Sequence, residues 1–575
     1  MNKRLVRLAA EKAAAEAAAA EAARLAIAAK TAPAARFQAI FSRLNPWILA
    51  MCILIGLGCR FYGLNWDEMA QLHPDERFCA SLVPRLSAPS SLAQFFDSAK
   101  SSLNPANLKD VHYVYGQLPL FIGKIAATLT GKSEGGEFLI VGRFLAALFD
   151  AGTVFFTFLI ARRLFDAQKA LLVAALVAGA ALHVQQSHFF VVDPFAAFFL
   201  TASFWAGARL VQSEKWLDAT LCGLFFGAAL ACKISAALFG VALLGFLVMI
   251  ARKQRVWKTI GLTLLCVLAT LTAFRVGHPM AFRGEMGFFD LRLEPRFWGD
   301  LAQQGGITRG EIDVPFDVQW IGRAPWLFSL RNLGFWGYGW PFLLSGIAGF
   351  GLLLRRSRGH GILFIGALFA VVLLGVQGAT FSKFTRYFLP LTPFLALLAA
   401  FFWQRIESKW PKMAPASLVV ALSATLWSVS VASIYARPHT RLEASRWMVQ
   451  NIPPGTIVAS ETPWDEVLPL GVPMPPQGGP QSVLLDSYDL DTPRKRDNLN
   501  AKLEAADWIV LSSGRSWQNI PRWSRKWPMM TEFYFALFDG RLGFRLEKRF
   551  NSFPRLGPLQ FPDASAEEAL TVYDH

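Results

Sequence analysis

Residues 141–160 read VGRFLAALFDAGTVFFTFLI, and Arg162 and Arg163 follow almost at once. Twenty helical residues reach about 30 Å, the apolar thickness of a bilayer. Only Arg143 and Asp150 interrupt the block, and a basic pair beside a span marks its cytoplasmic end. Working outward, similar stretches occupy residues 47–63, 170–190, 194–211, 216–233, 236–251, 257–275, 333–354, 361–379, 387–403 and 413–434, which makes eleven crossings. Gly116–Thr130 is apolar but short, and a full crossing there would reverse every later loop. It reads as a re-entrant or interfacial helix. With 54% hydrophobic and only 17% charged residues, the 575-residue chain reads as a mainly α, polytopic membrane protein.

The net charge of +16 agrees with that reading once it is located. Residues 1–45 hold eight Lys/Arg against three Asp/Glu, and the short loops 161–169, 209–218, 251–258, 355–360 and 404–412 hold fifteen against four. These segments carry the whole excess, so the charge is a topology signal and nucleic acid is not an expected partner. Residues 436–575 are nearly balanced, sixteen basic against seventeen acidic, as suits export. An odd number of crossings then leaves the N-terminus inside and residue 435 outside.

Three domains follow. Residues 1–45 form an Ala-rich helical extension, interrupted at Pro33, with no signal-peptide pattern. Residues 46–435 form the membrane body, with long outer loops at 64–116 and 276–332. Residues 436–575 alternate helix-like and strand-like pieces: EASRWMVQNIPPG precedes TIVAS, and NLNAKLEAADWIVLSS repeats the order with a helix to Ala506 and a strand at Trp508–Leu511. This reads as a small extracytoplasmic α/β domain, without a glycine-rich phosphate loop. Five of the six cysteines fall in expected spans and none in 436–575, so neither a disulfide framework nor a cysteine zinc site is expected.

The charged residues near the outer surface are the candidates for chemistry. NWDEMAQLHPDERF (65–78) places Asp67, Glu68, Asp75 and Glu76 beside His73, just beyond the first span. Asp75 or Glu76 is a candidate general base or cation ligand; a hydrated acidic loop is the plainer account. In HVQQSHFFVVDPF (183–195), Asp193 between apolar segments needs water, a cation or a basic partner, while His183 and His188 point about 140° apart on a helix and make a poor metal pair. FSKFTRYFLPLTPF (381–394) puts Lys383, Arg386 and Tyr387 at an outer boundary, fit either to snorkel to lipid or to hold a phosphate. Lys233 in LACKISAAL is a further phosphate candidate. Arg143 and Asp150, two helical turns apart, suit internal packing at least as well as substrate contact.

Taken in order, RFYGLNWDEMAQLHPDERF, YVYGQLPLF, the turn at Asp193 and SKFTRYFLPLTPFLALLA resemble the bacterial lipid-carrier-dependent glycosyltransferases of GT-C architecture, related to protein O-mannosyltransferases and to the lipid A aminoarabinose transferase. The likeness continues through YARPHTRLEASRWMVQNIPPGTIVASETPWDEVLPL, ADWIVLSSGR and AEEALTVYDH. It implies transfer of a sugar from a polyprenyl-phosphate donor to a hydroxyl of a protein, glycan or lipid at the outer face of a bacterial cytoplasmic membrane. It further implies catalysis by Asp75 and Glu76, with Asp75 the preferred base, and places Arg386 and Tyr387 near the donor phosphate, where Lys383 and Lys233 are the further candidates read from the residues themselves. Asp193, His73, Asp67 and Glu68 then serve the acceptor or support the site. The doubled Asp-Glu pair leaves Asp67-Glu68 as a competing assignment. No cofactor is required by the sequence; a divalent cation on Asp75, Glu76 and Asp193 is a candidate. The competing functions are a flippase or transporter for a lipid-linked saccharide and a non-catalytic subunit of envelope assembly.

The charge partition predicts sidedness directly. In sealed inside-in vesicles, a cysteine placed at Ala20 is protected from a membrane-impermeant thiol reagent and one placed at Pro480 is modified. The reverse pattern would overturn the topology.

Overall fold

The structure is a computed structural model that describes residues 3–133, 135–253, 256–356, 359–461, 467–470, 478–512 and 514–562. Helices dominate it. Eight are long and apolar enough to cross a membrane, with bounds at Arg43–Phe61, Gly136–Leu164, Val192–Ser213, Ile234–Ala251, Val256–Gly277, Gly361–Ala379, Thr385–Lys409 and Pro411–Asn451. Shorter apolar helices occupy Leu118–Thr130, Ala167–Ala178, Trp216–Cys232 and Trp340–Arg355. The expected crossing at 170–190 is not one helix. Ala167–Ala178 ends at Gly179, and Ala181–Gln186 starts afresh after Ala180. The stretch 333–354 is likewise divided, into a π turn at Leu333–Gly337 and the helix Trp340–Arg355.

The N-terminal extension also departs from expectation. A single helix runs Lys3–Phe61, so Pro33 does not end it. Proline removes one backbone donor and crowds one carbonyl; the alanine-rich stretch before it and the membrane span after it carry the helix across that local loss.

Small residues let the membrane helices approach. Trp216–Cys232 packs along Val256–Gly277, and a β-carbon added at Gly223 or Gly227 would lie 2.2 Å from the carbonyl oxygen of Cys266 or Thr270. Only glycine at this four-residue spacing permits backbone contact of that kind. The apolar core formed by these and neighbouring helices runs from Leu49 through Phe204 and Phe246 to Phe394 and Phe401.

Buried charge fixes helices to one another elsewhere. Arg60, at the end of its helix, donates through Nε to Asp150 Oδ2 at 2.7 Å and through its terminal nitrogens to the carbonyls of Gly56, Val177 and Ala178. The other oxygen of Asp150 meets His183 Nδ1 at 2.5 Å. Asp150 therefore ties the Gly135–Leu164 helix to Arg60 and to His183; it does not pair with Arg143, its neighbour two turns away.

The C-terminal region holds a three-stranded parallel sheet in the order β2-β1-β3, with β1 Ile457–Ser460, β2 Gln481–Leu484 and β3 Trp508–Val510. Helices Thr440–Asn451, Pro493–Ala505 and Pro528–Phe538 surround it. The expected pieces TIVAS and Trp508–Leu511 supply β1 and β3, and β2 was not foreseen because QSVL is short and largely exposed. Residues 462–466, 471–477 and 563–575, which include most of ETPWDEV and all of AEEALTVYDH, lie outside the described residues.

Removing one partner of a buried ion pair leaves the other charged and desolvated, at a cost of about 3–5 kcal/mol. Arg60→Ala and Asp150→Ala should each lower the melting temperature of the detergent-solubilised protein sharply. Removing either side of the exposed pair Arg541–Glu532 should leave the melting temperature nearly unchanged.

Candidate functional site

The two Asp-Glu pairs of the first outer loop have different surroundings. Proline at the first helical position and His73 as N-cap start the helix Pro74–Leu82, the imidazole Nδ1 accepting the Glu76 amide at 3.2 Å. Asp75 and Glu76 thus occupy the first turn and diverge by about 100° around the axis. Glu76 points inward and is fully buried. Its Oε1 accepts Arg143 Nε at 2.9 Å and the Phe190 amide at 2.8 Å, and its Oε2 accepts Arg143 Nη2 at 2.6 Å. The same guanidinium donates to both oxygens of Asp67, at 2.8 and 2.9 Å, and to the Leu64 carbonyl, with Trp66 stacked 4.7 Å from it. Burial pushes the Glu76 carboxyl up against the pull of Arg143, whereas Asp67 is held below its ordinary value by hydrogen bonds and charge from Arg143 that outweigh its own burial.

Asp75 faces the other way. Its carboxylate is 31% exposed and lies 3.0 Å from Arg386 Nη2. Arg386 comes from the turn Thr385–Leu391, with its guanidinium 4.0 Å from the centre of the Phe384 ring. Burial alone would raise the Asp75 carboxyl; Arg386 foremost, with Lys233 and Arg515, holds it below the ordinary carboxylate range.

Next to this pair, Lys233 Nζ donates to Asp193 Oδ1 at 2.8 Å and lies 4.6 Å from the centre of the Tyr387 ring. Asp193 lines two adjoining spaces. One, of about 420 Å³, also has Lys233 and Tyr387 in its wall beside apolar Leu200, Phe369 and Leu373. The other, of about 190 Å³, has Asp75 and Tyr115. Four segments remote in sequence therefore bring Asp75, Asp193, Lys233, Arg386 and Tyr387 to one cleft, half polar and half apolar.

Other candidates lie elsewhere. Lys383 is buried and donates to the carbonyls of Thr380 and Phe381, so it does not share the cleft with Arg386. A buried ammonium takes the nearest acceptors, here those of its own turn. Glu68 pairs with Arg446 of the C-terminal region. His73 is buried against Phe189, their ring centres 4.0 Å apart, and burial pushes it down to about 3, so it stays neutral. His183 belongs to the Asp150 network, and His188 lies between the carbonyls of Val184 and Tyr62 with Tyr435 stacked on it. The cation expectation is not met by the geometry. Among the described residues no three His, Cys, Asp or Glu side chains group to hold a metal, and Asp75, Glu76 and Asp193 each face a basic side chain instead.

Two residues that act on the cleft were not singled out in the sequence. Tyr115 lines the smaller space, and the Asp75 charge with burial pushes its phenol well above the ordinary value, so it keeps its proton. Its place depends on Gly116, whose amide donates to the Cys232 carbonyl at 3.0 Å; a β-carbon there would lie 2.0 Å from the Ala231 oxygen. The motif YVYGQ was the available signal. Arg515, in the short helix Gly514–Trp517, sends its charge toward Asp75 and His73 from the C-terminal region, and ADWIVLSSGR had marked its position.

The family model described as dolichyl-phosphate-mannose-protein mannosyltransferase matches residues 118–277. The matched stretch takes in Arg143, Asp193 and Lys233 and leaves out Asp75 and Arg386. No curated protein matches the chain. Among solved structures, the chain is similar to the oligosaccharyltransferase of Archaeoglobus fulgidus tethered with an acceptor peptide, at 14% identity and a TM-score of 0.47 over 74% of this chain and 62% of that one. It is also similar to ArnT from Cupriavidus metallidurans bound to undecaprenyl phosphate, at 13% identity and a TM-score of 0.46 over 80% of this chain and 89% of that one. The chain spans 60–63% of the length of the archaeal chains it matches.

The neighbouring carboxylates should separate by stability. Glu76→Ala strands Arg143 and should cost about 3–5 kcal/mol in chemical denaturation, whereas Asp75→Asn, at a partly exposed carboxylate, should stay within about 1 kcal/mol of wild type.

Proposed function

We propose that the protein is a GT-C glycosyltransferase that moves a sugar from a polyprenyl-phosphate donor to an acceptor hydroxyl at the outer face of a bacterial cytoplasmic membrane. The observation that carries this reading is the cleft where Asp75–Arg386 and Lys233–Asp193 meet beside an apolar wall, a surface suited to an anionic head on a lipid tail. The description of the matching family, a transferase that uses a lipid-phosphate sugar, fits that chemistry. The frame proposed is eleven crossings within 46–435, with residues 1–45 inside and 436–575 outside. The shorter apolar helices Trp216–Cys232 and Trp340–Arg355, and Ala167–Ala178 continued by Ala181–Gln186, supply the three crossings beyond the eight long ones.

In this mechanism the acceptor oxygen attacks the anomeric carbon as the bond from that carbon to the phosphate oxygen breaks. The phosphate leaves with the bonding electrons, the hydroxyl proton passes to Asp75, and a single displacement inverts the anomeric centre. Arg386 and Lys233 offset the charge on the leaving phosphate, and Tyr387 packs beside it. Glu76 and Asp67 act on Arg143 and set the loop. The Asp75–Arg386 pair gives the order of events. An ion-paired carboxylate is a weak base, but a donor phosphate draws the guanidinium away, and the partly buried Asp75 left behind gains basicity when a proton must be taken.

Two measurements test this. Asp75→Asn should reduce kcat by about a hundredfold to ten-thousandfold while donor binding persists. The acid limb of kcat/KM, which reports the free enzyme, should fall below the ordinary carboxylate pKa of about 3.9, and the limb of kcat should lie higher. In Arg386→Ala the free-enzyme limb should rise, because the largest charge opposing burial at Asp75 is then gone. Coincident limbs in the wild type would count against the exchange of partners, and normal turnover by Asp75→Asn would remove Asp75 as the base.

A further inference from the structure

Two neutral polar side chains face the larger cleft with their hydrogen-bonding capacity unspent. Ser235 follows Lys233 by two residues, in the helix Ile234–Phe239, and Gln377 lies near the end of Gly361–Ala379; both are in the wall of the 420 Å³ space. Neither side chain has a hydrogen-bond partner among the described residues. Ser235 is exposed and Gln377 half-buried, so both are open to a ligand that occupies the cleft they line. Lys233, in contrast, is engaged by Asp193.

The chemistry of the pair selects the ligand. A serine hydroxyl and a carboxamide both donate and accept. A phosphodiester only accepts, and it is served by the cations already in the cleft. Sugar hydroxyls donate and accept, so they match a neutral wall that does the same. We propose that Ser235 and Gln377 form the sugar-reading wall of the cleft and hydrogen-bond substituents of the donor's sugar ring, while Leu200, Phe369 and Leu373 receive the first isoprene units. This rests on the reading of the cleft as a donor site.

The test uses the full chain in lipid nanodiscs. Its probes are sugar-free polyprenyl phosphate, a panel of polyprenyl-phosphate hexoses, and monodeoxy analogues of whichever hexose is transferred. Ser235→Ala and Gln377→Leu should each lower kcat/KM for that hexose about three- to tenfold, and each should erase the preference over one deoxy analogue. Ser235→Thr, which keeps the hydroxyl, should retain the preference. Affinity for sugar-free polyprenyl phosphate should change by less than about twofold. An equal loss of affinity for the sugar-free lipid would assign the pair to phosphate and overturn the proposal. Unchanged discrimination in both folded variants would overturn it as well. A wild-type protein that binds neither the sugar-free lipid nor any hexose conjugate would instead overturn the donor reading beneath it.

Discussion

Arg143 cannot remain charged in an apolar helix bundle without oxygen around it, and the first outer loop supplies that oxygen. Five donor contacts reach Asp67, Glu76 and the Leu64 carbonyl, and Trp66 covers the plane. Desolvating a guanidinium costs several kcal/mol, which only such a set of partners offsets. The loop is bent to provide them: Glu68, Met69 and Gln71 all have positive φ, a conformation costing of order 1–3 kcal/mol each in a non-glycine residue. With Glu76 held inward by Arg143, the next side chain around the helix, Asp75, has only the outward direction left. The orientation of the proposed base is thus a consequence of a charge buried among Asp67, Glu76 and Leu64.

The same clamp shows why the sequence could be read only in part. Apolar length and basic flanks made the long helices legible, because crossing a bilayer imposes both on any chain. A charged residue beside a span, by contrast, looks alike whether it faces a cleft, a partner or its own backbone. Lys383 and Arg386 are one turn apart, yet Lys383 bonds to the carbonyls of Thr380 and Phe381 while Arg386 reaches Asp75. Asp67-Glu68 and Asp75-Glu76 have the same letters, and only the positions of Arg143, Arg386 and Arg446 separate their four surroundings. Arg143 and Asp150 share a helix face by periodicity, but their partners come from other segments, and no local pattern names those.

The C-terminal region is bound to the site more closely than its composition suggested. Val318, from the second outer loop, packs into the core of the C-terminal region with Ala459, Leu485 and Tyr534. Arg522 donates to the Ile321 carbonyl at 2.8 Å, and Lys526 reaches Asp313 at 2.6 Å. That loop in turn grips the turn that carries Arg386: Ser382 donates to Asp317 at 3.3 Å, and Trp320 packs edge-on against Phe384 with ring centres 5.0 Å apart. Phe384 is the ring on which Arg386 lies. The chain of contact runs from the C-terminal sheet through the loop to the cation opposite Asp75. The C-terminal region and the cleft are therefore joined by continuous packing, and Arg515 directs its charge toward Asp75 and His73.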